Sequence, residues 1–273
     1  MVSTNMTCLP HGDAGGGGSD LDRTLKREIQ IARNIQSTLL NGAKPRIDSG
    51  DISGVSVPAR LIGGDYFDFY PLSGGRMRMI IGDVMGKGIP AAMLMILTRG
   101  AFRSAAVSTA SPGETLTAMN NALFPDLRKL GSFVTVLCAD WNPADMSLTY
   151  SNAGHTLPIV LRSGEVAPIP EAKGVMLGGL PNQTYGEARA LLREDDIAFF
   201  YTDGIVEAHN AAGDMFKLDR LVAELKQSGH LPAQEIEKRV IAAVESFSEG
   251  EPQRDDITMV TLKVGRAWAT VAE

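Results

Sequence analysis

Strands in this chain come in hairpins instead of alternating with helices, and that pattern restricts the fold more than any other feature. Apolar, β-prone runs occupy 55–61, 65–70 and 77–81, the last two joined by a Ser73-Gly74-Gly75 turn. Two helical stretches follow. The first covers 89–106, with Pro90 near its first position, where a missing N–H costs little. The second starts at Ser111-Pro112-Gly113-Glu114, a capping box, and runs to about Phe124. Hairpins resume at 133–141 with 147–151, around Asn142-Pro143-Ala144-Asp145, and at 159–162 with 166–169, around Ser163-Gly164. Strands 187–192 and 197–202, helices 214–227 and 233–247, and an alternating strand 257–264 complete the order. Such an order predicts an α+β fold with antiparallel sheets whose outer faces are covered by helices.

With 273 residues and 44% hydrophobic content, the chain suits one large domain with a short appendage. Residues 1–19 carry Gly15–Gly18 and few large apolar groups, so a disordered tail is expected there, and another at 267–273. Residues 20–42 form an amphipathic linker helix in this reading. Leu21, Leu25, Ile29, Ala32, Ile35 and Leu39 recur at helical spacing, Asp20 caps the start, and Asn41-Gly42 is a stop. Its stripe either packs on the domain's own surface or serves as an arm, pairing two chains through residues 20–41 or leading in from an upstream regulatory domain. The main domain is placed at 43–266. A net charge of −6 offers no basic surface for nucleic acid. No signal peptide and no membrane span are expected, and two cysteines, Cys8 and Cys138, without ligand spacing fit a reducing cytoplasm.

Four aspartates sit at the ends of strand-like runs: Asp65 in Gly63-Gly64-Asp65-Tyr66-Phe67-Asp68, Asp83 in Gly82-Asp83-Val84-Met85-Gly86, Asp203 in Tyr201-Thr202-Asp203-Gly204, and Asp255 in Arg254-Asp255-Asp256-Ile257. They are far apart in sequence, so only the fold can gather them. Gathered, they would form a set of hard oxygen ligands suited to Mg²⁺ or Mn²⁺ and to phosphate chemistry. Four carboxylates could serve two ions, since Mg²⁺ keeps several waters. Each motif alone reads as an ordinary turn. Their combination and order carry the signal.

The chain resembles the PPM (type 2C) protein serine/threonine phosphatases, in particular the bacterial RsbU/SpoIIE-type branch. The matching stretches are the run from Pro58 to Asp68, Gly82-Asp83-Val84-Met85-Gly86-Lys87-Gly88, Asn152-Ala153-Gly154-His155, the run from Tyr201 to Ala208, and Asp255-Asp256-Ile257-Thr258. Ala32 and Ile35-Gln36 resemble that family's linker helix. The resemblance implies a four-layer α-β-β-α sandwich with two mainly antiparallel sheets and a metal cleft at one edge. It implies Asp83 as bridging ligand of two Mn²⁺ or Mg²⁺ ions, the Val84 carbonyl as a backbone ligand, and Asp65, Asp203 and Asp255 completing the cluster. It further implies attack of a metal-bound hydroxide on phosphoserine or phosphothreonine, the substrate being a STAS-domain anti-sigma-factor antagonist in a partner-switching pathway. The phosphate-gripping arginine of eukaryotic relatives has Arg60 as its candidate. Two departures stand out: Asp195-Asp196 where the family often has Gly-Asp, and Lys217 after Phe216 where glycine is common.

Other readings compete. Gly63-Gly64-Asp65-Tyr66-Phe67 resembles a diguanylate cyclase hairpin but fails on Tyr66 and leaves Asp203 and Asp255 unexplained. A catalytically weak, phosphatase-like binding module needing an upstream activator is the other alternative. His155 is read as a structural hydrogen bonder with general acid as the sharper role. Lys87, between two glycines, could attract phosphate, and Met85, Met93 and Met95 are expected to pack a helix on a sheet.

Overall fold

The structure, a computed structural model, describes residues 17–40, 45–47 and 49–265. The tail residues 1–16 and 267–273 and the Asn41-Gly42 stop lie outside those residues. The elements are α1 (Gly17–Leu40), β1 (Gly50–Val57), β2 (Tyr66–Pro71), β3 (Met77–Val84), α2 (Ile89–Ser108), α3 (Pro112–Leu130), β4 (Val134–Asn142), β5 (Ser147–Ala153), β6 (Ile159–Arg162), β7 (Glu165–Ala167), β8 (Glu187–Leu191), β9 (Ile197–Tyr201), α4 (Lys217–Ser228), α5 (Ala233–Ser248) and β10 (Ile257–Val264). Two five-stranded sheets form, ordered β1-β10-β9-β6-β7 and β2-β3-β4-β5-β8. Every strand pairing in them is antiparallel.

Side-chain alternation assigns the layers. Along β3, Met77, Met79 and Ile81 pack between the sheets, while Ile80 and Val84 pack beneath α2 and α3. On β10, Val260 and Leu262 point inward, while Ile257 and Met259 join Leu221 of α4 and Val240 of α5. The result is the expected α-β-β-α sandwich. Parity also directs two of the aspartates. Asp83 shares the face of Met79 and Ile81, and Asp65 that of Phe67, so both are aimed into the space between the sheets at its edge.

Ionic ties fix the helices over the second sheet. Arg78 of β3, fully buried, donates from Nε and Nη2 to Asp140 of β4, both at 2.7 Å, and from Nη1 to the hydroxyls of Thr109 and Thr115. Asp68 of β2 pairs with Arg99 and Arg103 of α2. Removing one partner of such a buried pair strands a charge, which costs far more than the pair contributes.

Several elements differ from expectation. α1 begins at Gly17, ahead of Asp20. α3 continues through Pro125 to Leu130 instead of ending near Phe124. Pro125 and Asn121, whose carbonyl loses its partner, are both exposed, while Leu123 and Leu127 anchor the helix in the core. α4 begins at Lys217, because Met215 is taken up in a bridge to His209. Of the three methionines only Met95 packs inward; Met85 and Met93 are exposed.

Both departures from family glycines fall at left-handed backbone: Asp195 has φ 67° and Lys217 φ 65°. Aspartate tolerates that region, whereas lysine carries the full Cβ penalty. Lys217→Gly is therefore expected to raise unfolding stability by about 0.5–1 kcal/mol. Urea denaturation checks this; an unchanged or lower midpoint would contradict it.

Candidate metal centre

Asp65 and Asp83 come from neighbouring strands of one sheet, where Tyr66 pairs with Gly82. Asp203 and Asp255 flank neighbouring strand ends of the other, β9 and β10. The four aspartates thus meet at one edge of the sandwich, two from each sheet. They also act on one another electrically. Burial, then the charges of Asp203 and Asp255, push the Asp83 carboxyl up to about 7. Burial, then Asp83 and Asp256, hold Asp65 well above the usual carboxylate range, against a hydrogen bond from Thr202. Burial, then Glu207 and Asp255, raise Asp203.

Local structure explains the glycines beside them. Asp256, adjacent to Asp255, is buried and accepts from the N–H groups of Ala59 at 2.7 Å, Gly64 at 2.7 Å and Asp65 at 3.4 Å. A Cβ on Gly63 would lie 2.3 Å from the Asp256 carboxylate, and one on Gly204 2.0 Å from its backbone oxygen. Neither position has room for a side chain. Thr202 links the sheets again, donating to Asp65 at 2.7 Å while its Oγ1 accepts from the Thr258 N–H at 3.0 Å. The loop before β2 is also held from outside. Gln36 of α1, buried, donates to the Gly63 carbonyl at 2.7 Å and accepts from the Gly63 N–H at 3.1 Å. Sequence reading noted Gln36 only for its family likeness and missed the Asp256 clamp and Thr202. A double Asp before a strand was the one signal that pointed to the clamp.

The remaining candidates sort by their surroundings. Lys87 donates to Asp255 at 2.6 Å and to the Arg254 carbonyl. Arg60 is exposed and lies against Gly88 at the mouth of the cleft. His155 is buried, with its Nδ1 2.9 Å from the Thr135 hydroxyl, and burial lowers its pKa to about 4. It is a neutral, structural histidine, and Thr135 is the β4 partner of Asp83. The Val84 carbonyl faces Gly64, 3.0 Å from where a Cβ there would begin.

A donor set of oxygen atoms with mutually repelling charges fits a hard divalent cation, which would relieve that repulsion. Among the described residues, no three His, Cys, Asp or Glu side chains form a ready-made ligand shell. Lys87 engages Asp255 and Thr202 engages Asp65, so these two carboxylates already have hydrogen-bond partners.

Residues 73–265 match the family model described as Stage II sporulation protein E (SpoIIE). The chain belongs to the SpoIIE family. It is a PPM phosphatase of the RsbU/SpoIIE type. Phosphoserine phosphatase RsbU of Bacillus subtilis is 29% identical over 266 residues, covering 96% of this chain and 76% of that protein. Protein IcfG of Synechocystis is 26% identical over 88% of this chain and 42% of its own length, so the chain spans under half of that relative. Among solved structures, the SiaA-PP2C domain of Pseudomonas aeruginosa shares the fold, with a TM-score of 0.75 at 20% identity over 90% of this chain and 99% of that one. The diguanylate cyclase reading is set aside by this SpoIIE-family membership.

The raised carboxyls have a consequence for stability. A group whose pKa is higher folded than unfolded stabilises the fold at low pH, and that contribution is lost as pH rises through the folded value. Metal-free protein of this sequence is thus expected to melt at a higher temperature near about pH 5.5 than near about pH 8, the loss running upward from the ordinary carboxylate range and levelling off above the Asp83 value of about 7. Asp83→Asn raises the melting temperature at the higher pH and flattens the profile. Scanning calorimetry that shows the variant less stable at high pH would contradict this electrostatic picture.

Proposed function

We propose that this protein removes phosphate from phosphoserine or phosphothreonine of a STAS-domain anti-sigma-factor antagonist, in a partner-switching pathway. The observation that carries the reading is the meeting of Asp65, Asp83, Asp203 and Asp255 from two sheets at one edge, where the carboxyls of Asp65, Asp83 and Asp203 are raised. In this reading those four side chains and the Val84 carbonyl hold two Mn²⁺ or Mg²⁺ ions, with Asp83 between them. When bound, such ions supply an acidified water and neutralise phosphate charge. The chain's own residues do the rest. Asp256 and Gln36 fix the loop that aims Asp65, Thr202 orients the Asp65 carboxylate, and Arg60 and Lys87 place positive charge at the mouth, where a phosphate approaches.

Phosphate release from a phosphorylated STAS-domain protein in Mn²⁺ tests this. Wild type releases phosphate. Asp83→Ala loses more than the roughly 100-fold typical of removing a ligand's supporting partner. No metal-dependent release by wild type would sink the enzyme reading in favour of a silent binding module, and equal release by the variant would remove Asp83 from the mechanism.

The arm reading of α1 is favoured by exposure. Leu25 and Ile35 on its apolar stripe are 51% and 55% exposed, while Ile29 and Leu39 are half-buried, so the domain covers that face only in part. Pairing with a second chain through residues 20–41, or attachment to an upstream regulatory domain, would cover it. Light scattering is expected to show two chains per particle for the full protein and one for the protein lacking residues 1–41; the same number of chains per particle in both would refute the pairing. Gln36→Ala keeps the mass and lowers phosphate release about 10- to 100-fold, because the Gly63 loop loses its outside support.

A further inference from the structure

A pocket of about 310 Å³ opens directly beside the carboxylate cluster, between the turn after β9, the end of α5 and the loop before β10. It begins at Lys87, Gly204 and Asp255 and runs to Val244 and Ser248 of α5. Nothing in the chemistry derived above uses its far end. Its volume is at the small end of ligand pockets, with room for one long side chain and some water but not for a folded element.

The lining has two characters. Ala208, Val244, Pro252 and Ile257 supply apolar surface. Glu207, Glu245 and Glu251 line it too, all three are exposed, and no salt bridge among the described residues engages them. Of the cationic residues in the lining, Lys87 is committed to Asp255, which leaves Arg254 against three glutamates. His209, also in the lining, keeps a buried Nδ1 with no hydrogen-bond partner. An apolar wall with unpaired negative charge above it suits a group that is aliphatic along its length and cationic at its tip. The pocket is continuous with the carboxylate edge through Gly204 and Asp255, so a protein seated with its phosphate at that edge can reach into it.

We infer that this pocket receives an arginine or lysine side chain of the protein substrate, a few residues from the phosphorylated serine, and so helps to select that substrate. The inference rests on the phosphatase reading above and deepens it. The stem of the side chain lies along Val244 and Pro252, and its charged end meets Glu245 and Glu251. Charge pairing at such a rim acts mainly on encounter and selection, so the effect belongs in KM more than in kcat.

The test uses the full chain with Mn²⁺ and a set of phosphoserine peptides in which arginine, alanine or glutamate is placed at each position within about four residues of the phosphoserine. Arginine at one or two positions is expected to lower KM about 5- to 10-fold relative to alanine, with kcat little changed. In Glu245→Lys/Glu251→Lys the preference reverses toward glutamate at the same positions. Glu245→Gln, a milder change at an exposed site, reduces the arginine preference without reversing it. Hydrolysis of p-nitrophenyl phosphate separates the two levels of the argument. If wild type does not hydrolyse it, the phosphatase reading fails and the subsite fails with it. Hydrolysis with no arginine preference at any position, a wild-type preference for glutamate, or a preference that survives the charge reversal overturns the subsite alone.

Discussion

One buried carboxylate, Asp256, holds together the two halves of this molecule where they have to work together. It sits at the start of β10, in the first sheet, and accepts N–H groups from Ala59, Gly64 and Asp65, in the loop that enters the second sheet. Hydrogen bonds to a charged acceptor are the strong kind, and out of water they are directional as well. The clamp fixes the path of the chain into β2 and therefore the position of Asp65. It also dictates composition: Gly63 and Gly204 carry no side chain because the Asp256 carboxylate and backbone fill that space. Thr202 adds a second stitch between the same sheets, and Gln36 carries the restraint out to α1.

The clamp works against a repulsion. Gathering Asp65, Asp83, Asp203 and Asp255 at one edge sets like charges beside one another in partly dry surroundings, and each raised carboxyl records that cost. A fold that settled only for stability would keep them apart. The buried Arg78–Asp140 pair and the Asp68 contacts to α2 stiffen the sheet that carries Asp83, so the strain is confined to the open edge. Lys87 lies at the same edge, already matched to Asp255, and is placed to yield that partner to a stronger cation.

Much of this was legible in the sequence because it depends on local rules. Hairpin turns and two-residue alternation gave the sheets, and β10 was read at its observed bounds. The departures from glycine at Asp195 and Lys217 are visible in the sequence, and both residues adopt positive φ. What escaped were contacts between distant segments. Asp256 looked like the twin of Asp255, and nothing local separates a clamp from a ligand. The expected end of α3 near Phe124 falls short because the burial of Leu123 and Leu127, which carries the helix past Pro125, is not visible in sequence. The apolar stripe of α1 is equally consistent with packing on its own domain and with an arm, and the fold leaves Leu25 and Ile35 on it exposed while Ile29 and Leu39 are half-buried.

In the proposed site the four aspartates from two sheets would hold a pair of divalent ions that share Asp83. Anomalous scattering at the manganese edge, from crystals grown with Mn²⁺, is the decisive measurement. Two peaks about 3.5–4 Å apart, both in contact with the Asp83 carboxylate, are expected. Peaks located away from Asp65, Asp83, Asp203 and Asp255, or a fully occupied pair that Asp83 does not touch, would contradict this arrangement.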